Sequence, residues 1–374
     1  MDGPRSTGRL LAAVLLAGSV PALAQVDDQT EEIRDRDKRY YEQQLEREKQ
    51  QKEAETPTPE PEADPRDAEI EAFLADADRI VRDRNYMSET TAHYRVQTDD
   101  PRLNPVAAAA LLESFQGFFD AFWADRTELL PYTKTGRIFL FYSYFKYNRL
   151  LTGRERFGTF QPTGHYRAYF DVVVVHSDSV GPDGLSDVLV HEAAHQLLRN
   201  RLFGYRAEQS HWVAEGLATY FGYTQQDSGG EFVAGAIGGK GAVLLGGAKR
   251  LPEGQGGRAL QDYRRNLKNG EAPAIADLVG IDDPAVYYGE KSAAHYVGSW
   301  LLVHYLFHGE EGARADAFVR YLGREAKGEG APDALYEELA LTPEELEAGF
   351  ERYVLGLRYA PAKRRPAGAP SQPG

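Results

Sequence analysis

The stretch LSDVLVHEAAHQLLRNRL, residues 185–202, follows the turn-forming Pro182-Asp183-Gly184 and reads as a helix. Within it stand His191-Glu192-Ala193-Ala194-His195. Spacing of i, i+4 puts both imidazoles on one helical face, close enough to ligate a single ion. Glu192 projects beside that face. It can reach a water on such an ion without itself being a ligand.

Downstream, WVAEGLATYF (residues 212–221) reads as a second helix with one carboxylate, Glu215. Nineteen residues separate His195 from Glu215, room for the first helix to finish, a loop to turn and a second helix to return. Two His and one Glu leave the fourth tetrahedral position open to water, the arrangement of a catalytic zinc site. The chain has no Cys. Disulfides, thiolate nucleophiles and Cys-ligated metals are therefore excluded, and any metal must be held by His, Asp or Glu.

HEAAH followed by WVAEGLATYF resembles the gluzincin metallopeptidases, which carry HExxH and a downstream Glu on a WxxEGxAxY-like helix. The likeness is greater still to the bacterial peptidase-MA-like proteins, many described only as domains of unknown function. Tyr296-Val297-Gly298-Ser299-Trp300 looks like their later Tyr-x-x-x-Trp helix, and the terminal helix around Glu345–Tyr353 also has a counterpart. The resemblance covers roughly residues 90–357, and its specific part is the two metal segments. One departure is Ser210-His211, where many relatives place Pro before the Trp helix.

The resemblance implies a zincin-like domain hydrolysing peptide bonds in a peptide or protein substrate. His191, His195 and Glu215 would bind Zn²⁺, and Glu192 would be the general base towards metal-activated water. Gluzincins usually add a Tyr or His donor to the oxyanion. Tyr296 is the candidate here, with Tyr288 and His295 as rivals.

Other residues carry weaker signals. His211, four before Glu215, is either an extra ligand or an exposed residue ahead of the helix. Asp187, one turn before His191, is either an orienter of a ligand imidazole or an ordinary first-turn acid. His165, His176, His304 and His308 have no spacing relation to the motif and read as structural or surface residues. Tyr142, Tyr144, Phe145 and Tyr147 read as core or interface.

The 374 residues hold 43 Lys+Arg against 57 Asp+Glu, a net charge of −14, which disfavours a nucleic-acid partner. Hydrophobic residues at 42% allow a sizeable core. Arg5 and Arg9, the apolar run Leu10–Val20 and Ala22-Leu23-Ala24 form a signal-peptide pattern. Residues 1–24 are thus expected to be removed, giving a periplasmic or secreted bacterial protein with no lasting membrane insertion. Residues 25–66 read as a charged helical or disordered arm ending in the linker TPTPEPEADP. Residues 27–55 hold 11 acidic and 7 basic side chains and could recruit an envelope partner.

The peptidase domain is expected over 67–360, with a disordered tail at 361–374. Helices are expected at 67–84, 104–126, 292–308, 313–326 and 343–357, the last opened by a capping box from Thr342 to Glu345. Strands are expected at 94–98, 137–142 and 169–176. Ser228–Gly257, with 11 glycines in 30 residues, reads as a mobile loop. The fold class that follows is α+β: a small mixed sheet, then the active-site helix, then a mostly helical C-terminal half. Two further functions share the same residues. One is an inactive zinc-binding envelope protein acting as a binding or scaffold module. The other is a zinc amidase acting on peptidoglycan.

Overall fold

Four valines, Val172–Val175, lie side by side in the chain and all are buried, so their strand has a packed layer on each face. This strand is β5 (Val172–His176), in the interior of a five-stranded mixed sheet ordered β1-β2-β3-β5-β4. Its companions are β1 (Met87–Thr90), β2 (Tyr94–Thr98), β3 (Gly136–Phe141) and β4 (Gly164–Arg167). The β2–β3 and β3–β5 pairs are parallel; the outer pairs β1–β2 and β4–β5 are antiparallel. A computed structural model describes residues 67–151, 162–178, 182–204, 207–226, 230–237 and 254–358. The expected signal peptide, charged arm, linker and C-terminal tail lie outside the described residues.

Strand alternation splits the core in two. Phe139, Phe141, Val172 and Val174 face α1 (Asp67–Val81) and α3 (Tyr144–Leu151), where Phe73 stacks on Phe170 at 4.0 Å. Ile138, Leu140, Val173 and Val175 face the larger cluster, which contains α2 (Pro105–Ala124) and α4 (Pro182–Leu197). A parallel neighbour demands a crossover, and α2 supplies it between β2 and β3. Asn104 caps α2, its side chain accepting from the Val106 and Ala107 amides, with Pro105 at the first helical position.

Beyond the sheet the chain is mostly helical. A six-residue π-helix, Leu198–Phe203, extends α4. Then come α5 (His211–Tyr223), the hairpin β6 (Thr224–Gln226)–β7 (Phe232–Ile237), α6 (Gly254–Asn269), α7 (Ile275–Val279) and α8 (Pro284–Tyr287). Helices α9 (Ser292–His308), α10 (Ala315–Glu325), α11 (Pro332–Leu339) and α12 (Pro343–Gly356) complete the chain. Thr342 and Glu345 form the expected capping box on α12. No helix among the described residues is long and apolar enough to cross a membrane.

The α+β class therefore stands, with two corrections. Of the expected strand 169–176 only Val172–His176 is strand: residues 169–171 belong to the turn that follows β4, where Asp171 has φ 52°. Its apolar run hid the turn because Tyr169 and Phe170 belong to the turn itself. The expected glycine loop holds β7 and the start of α6, with residues 238–253 outside the described part. Pairing with β6 and packing on the core outweigh glycine's local cost there. The Tyr-rich run splits: Tyr147 is core on α3, while Tyr142 and Phe145 are exposed.

Candidate metal centre and surrounding cleft

Helices α4 and α5 meet beside α9, and their contact decides where the three predicted ligands fall. Helix α5 is buried along nearly its whole length, from Trp212 to Gly222. Gly216 lets it approach α9, since a Cβ there would stand 2.7 Å from the Ser299 carbonyl oxygen. Trp212 stacks on Phe318 and Tyr321 of α10.

The start of α5 is fastened from afar. Ser210 caps it without a side-chain bond to the helix. Instead the buried Glu325 of α10 accepts from the Ser210 amide at 2.9 Å and the Ser210 hydroxyl at 2.7 Å. Tyr321 donates to the same carboxylate at 2.5 Å. The departure at Ser210-His211 thus has its own anchor, one that a proline, lacking the amide hydrogen, could not use.

With both helices placed, His191, His195 and Glu215 converge. Their Nε2 atoms lie 3.1 Å apart, and Glu215 Oε2 is 3.3 Å from each. That oxygen is buried and has no hydrogen-bond partner. Its close neighbours are the two imidazole nitrogens, and three such donors around one point could hold a metal ion. Ligand atoms about 2.0–2.2 Å from a tetrahedral ion stand about 3.3–3.6 Å apart. Two observed edges sit at the short end of that range and the third, at 3.1 Å, just below it, and the donor set fits. These three residues are the His/Cys/Asp/Glu cluster of metal-holding geometry among the described residues.

Electrostatics follow from the crowding. Burial alone would raise the Glu215 pKa, but the two imidazoles outweigh it and hold the carboxyl well below its ordinary value. Burial would lower that of His195; the Glu215 charge reverses this and raises the imidazole. Tyr288 donates to Glu215 Oε1 at 2.8 Å, so one carboxylate oxygen is held and the other faces the imidazoles. Thr219 Oγ1 stands 3.5 Å from His191 Nδ1, at the outer limit of a hydrogen bond.

Glu192 is not part of the triangle. Its Oε2 accepts from the Tyr166 amide of β4 at 2.7 Å, so the sheet edge orients it. Gly164 makes room for this: a Cβ there would lie 2.7 Å from Val188 Cγ1 and 2.8 Å from Glu192 Cγ. Behind, Asp171 accepts from Tyr166, Tyr132 and Asn200 side chains at 3.0, 2.8 and 2.8 Å, tying the β4–β5 turn to the α4 extension.

The triangle and Glu192 open on a cleft of ≈ 1090 Å³ between β4, α4, α5 and the α8–α9 region. Tyr296 lines it, its ring 6.3 Å from that of His191. Burial, then the Glu215 charge, raises the pKa of both Tyr288 and Tyr296, so both hydroxyls stay protonated.

His295 is buried with Nδ1 2.8 Å from the Tyr287 carbonyl oxygen, tied to α8. His211 Nε2 lies 3.2 Å from the Asp282 carbonyl oxygen and stays outside the metal cluster. Asp187 is buried and lines the cleft. Of the unassigned histidines, His304 and His308 sit in a hydrogen-bonded knot with Tyr220, Tyr353 and Gly235. His176 pairs with Asp178. His165, by contrast, lines the cleft.

Sequence reading missed the Tyr288–Glu215 bond, the Tyr166 amide, the Glu325 anchor and Arg199 in the cleft wall. Arg199 alone left a local signal, standing four residues past His195 on the same helical face.

Residues 186–241 match the model of a family described as "Protein of unknown function (DUF1570)", a span that holds all three converging side chains and Glu192. No curated protein matches this chain.

Proposed function

We propose that this chain is an exported zinc-dependent metallopeptidase of gluzincin type. The observation that carries the reading is the buried Glu215 Oε2 facing two imidazole nitrogens, with Glu192 held beside them. His191, His195 and Glu215 would hold the ion through two nitrogens and one oxygen, a set that suits zinc. Zinc in such a site polarises the scissile carbonyl and makes water acidic enough to attack near neutral pH.

The protein's own groups do the rest. Glu192, fixed by the Tyr166 amide, takes the proton of the attacking water on its carboxylate. It then passes that proton to the nitrogen of the departing amine, so the free carboxyl and amine products balance. Proton transfer by such a placed carboxylate contributes about 10²–10⁴-fold. Tyr288 keeps Glu215 turned towards the imidazoles. Tyr296, protonated and in the cleft wall, would donate to the developing oxyanion.

The test pairs metal analysis with turnover. Purified protein should carry one zinc per chain and cleave members of a peptide library, and Glu192→Gln should keep the metal and lose cleavage. Full cleavage by Glu192→Gln would refute the mechanism.

A further inference from the structure

Among the described residues that line the cleft, Arg199 is the one arginine or lysine. It stands one turn past His195, in the π-helix that extends α4. Four residues of helix advance about 6 Å, and a residue of extended peptide spans about 3.3 Å. A guanidinium rooted there reaches groups one or two residues from an amide seated at the His191–His195–Glu215 triangle.

Its neighbour shows that the placement is particular to Arg199. Arg201 turns the other way, where its guanidinium bonds Asp120 at 2.6 Å and the Leu130 carbonyl oxygen at 3.4 Å. Arg201 therefore fastens the π-helix to α2 and the following loop. The positive charge of Arg199 acts on the Tyr166 hydroxyl, lowering its pKa against the larger effect of burial. Arg199 thus lies near the residue whose amide holds Glu192. The other charged side chains of the wall are Asp187, Glu192 and Glu215, all acidic. Away from the ion that the three ligands would hold, Arg199 is the one fixed positive side chain among the described residues of the wall.

We propose that Arg199 is a specificity residue that selects substrates carrying a carboxylate within two residues of the scissile amide. This deepens the peptidase reading and rests on it. A guanidinium binds a carboxylate through two parallel N–H···O bonds, which gives position as well as affinity. Side-chain carboxylates of Asp or Glu and a free chain terminus offer the same chemistry, and the assay separates them.

The experiment uses the full chain loaded with zinc. One peptide series moves a single Glu, or Gln as control, through the positions flanking the cut; a second compares a free with an amidated C-terminus. In wild type, one Glu position or the free terminus should raise kcat/KM roughly 10- to 100-fold, the range of a charge-assisted pair. Arg199→Gln should erase that preference while keeping the zinc content and circular dichroism of wild type. Arg199→Lys should restore part of it, and stands in if the Gln variant fails to fold. An unchanged preference in Arg199→Gln, or cleavage indifferent to carboxylates in wild type, would overturn the proposal and leave the peptidase reading standing.

A binding arm on Glu192→Gln protein, with and without Arg199→Gln, separates the two ideas. Carboxylate peptides held through Arg199 while the zinc-loaded wild type cleaves no peptide would support the subsite and sink the peptidase. Binding that ignores Arg199 would sink the subsite.

Discussion

The Tyr288 hydroxyl lies 2.8 Å from Glu215 Oε1, while Oε2 of the same carboxylate lies 3.3 Å from both His191 Nε2 and His195 Nε2. One oxygen is held by a donor 73 residues away, and the other is presented to the imidazoles. Groups that hold a ligand in this way typically change metal affinity by 10–100-fold when removed. Tyr288→Phe should therefore weaken zinc binding by roughly 10–100-fold, with wild-type circular dichroism. Competition against a fluorescent chelator measures this, and an unchanged affinity would show that the bond orients nothing.

Ligands and base should separate cleanly. His191→Ala and His195→Ala should lose zinc by elemental analysis. Glu192→Gln should retain it while turnover falls by about 10²–10⁴-fold. Loss of metal from the Glu192 variant would place that carboxylate among the ligands instead.

Gly164 tests how closely the sheet edge must approach α4. A methyl group at that position collides with Val188 Cγ1 at 2.7 Å and Glu192 Cγ at 2.8 Å. Overpacking of this kind typically costs about 1–3 kcal/mol. Gly164→Ala should lower the urea midpoint, and it should lower kcat more than KM because Glu192 is displaced. A variant with wild-type turnover would show that Glu192 tolerates the shift.

Glu325 binds three donors, from Ser210 and Tyr321, in a buried site. Glu325→Ala takes this acceptor from the Ser210 amide and hydroxyl, while Tyr321 keeps the Gly330 carbonyl oxygen at 2.8 Å, and unsatisfied buried groups typically cost about 1–3 kcal/mol. The thermal midpoint should fall accordingly. Zinc affinity should also weaken, because Ser210 opens the helix that carries Glu215. Loss of stability at unchanged metal affinity would limit Glu325 to a structural role.

His304 and His308 predict acid sensitivity away from the metal centre. Burial, then the neighbouring His308, pushes His304 down to about 3. Burial and Arg126 push His308 down to about 4. In the unfolded chain both return to about 6.5, so below that pH the unfolded state binds more protons. Their contribution is fully present above about pH 6.5 and is lost as pH falls towards about 4 for His308 and about 3 for His304. The slope is at most about 1.4 kcal/mol per pH unit for each histidine. Protonated His308 can no longer accept from Tyr220. Unfolding free energies measured over that window should decline, and His308→Gln should flatten the decline; a parallel slope in the variant would assign the acid sensitivity elsewhere.

Local pattern and long-range packing divide the site between them. Spacing i, i+4 on one helix is a property of the helix itself, so His191 and His195 could be paired from sequence. The capping box at Thr342 and the span of α9 were legible for the same reason. The β4–β5 turn was not, because its Tyr169-Phe170 has the apolar character of a strand. Nor was β7, whose Gly235 and glycine-rich surroundings carry no strand signal until β6 lies beside it.

What the sequence determined by itself was the donor chemistry: with no cysteine, two imidazoles one turn apart and one carboxylate on a later helix are the metal-ligand set that its motifs offer. What tertiary structure decided was how those donors are held. Tyr288 reaches Glu215 across 73 residues, Tyr166 reaches Glu192 across 26, and Ser210 reaches Glu325 across 115. Such pairs leave no periodic trace along the chain, because each distance is set by where whole helices and strands come to rest. Local geometry repeats with the helix turn and can be counted from residue numbers, whereas the meeting of distant elements follows from packing the entire core.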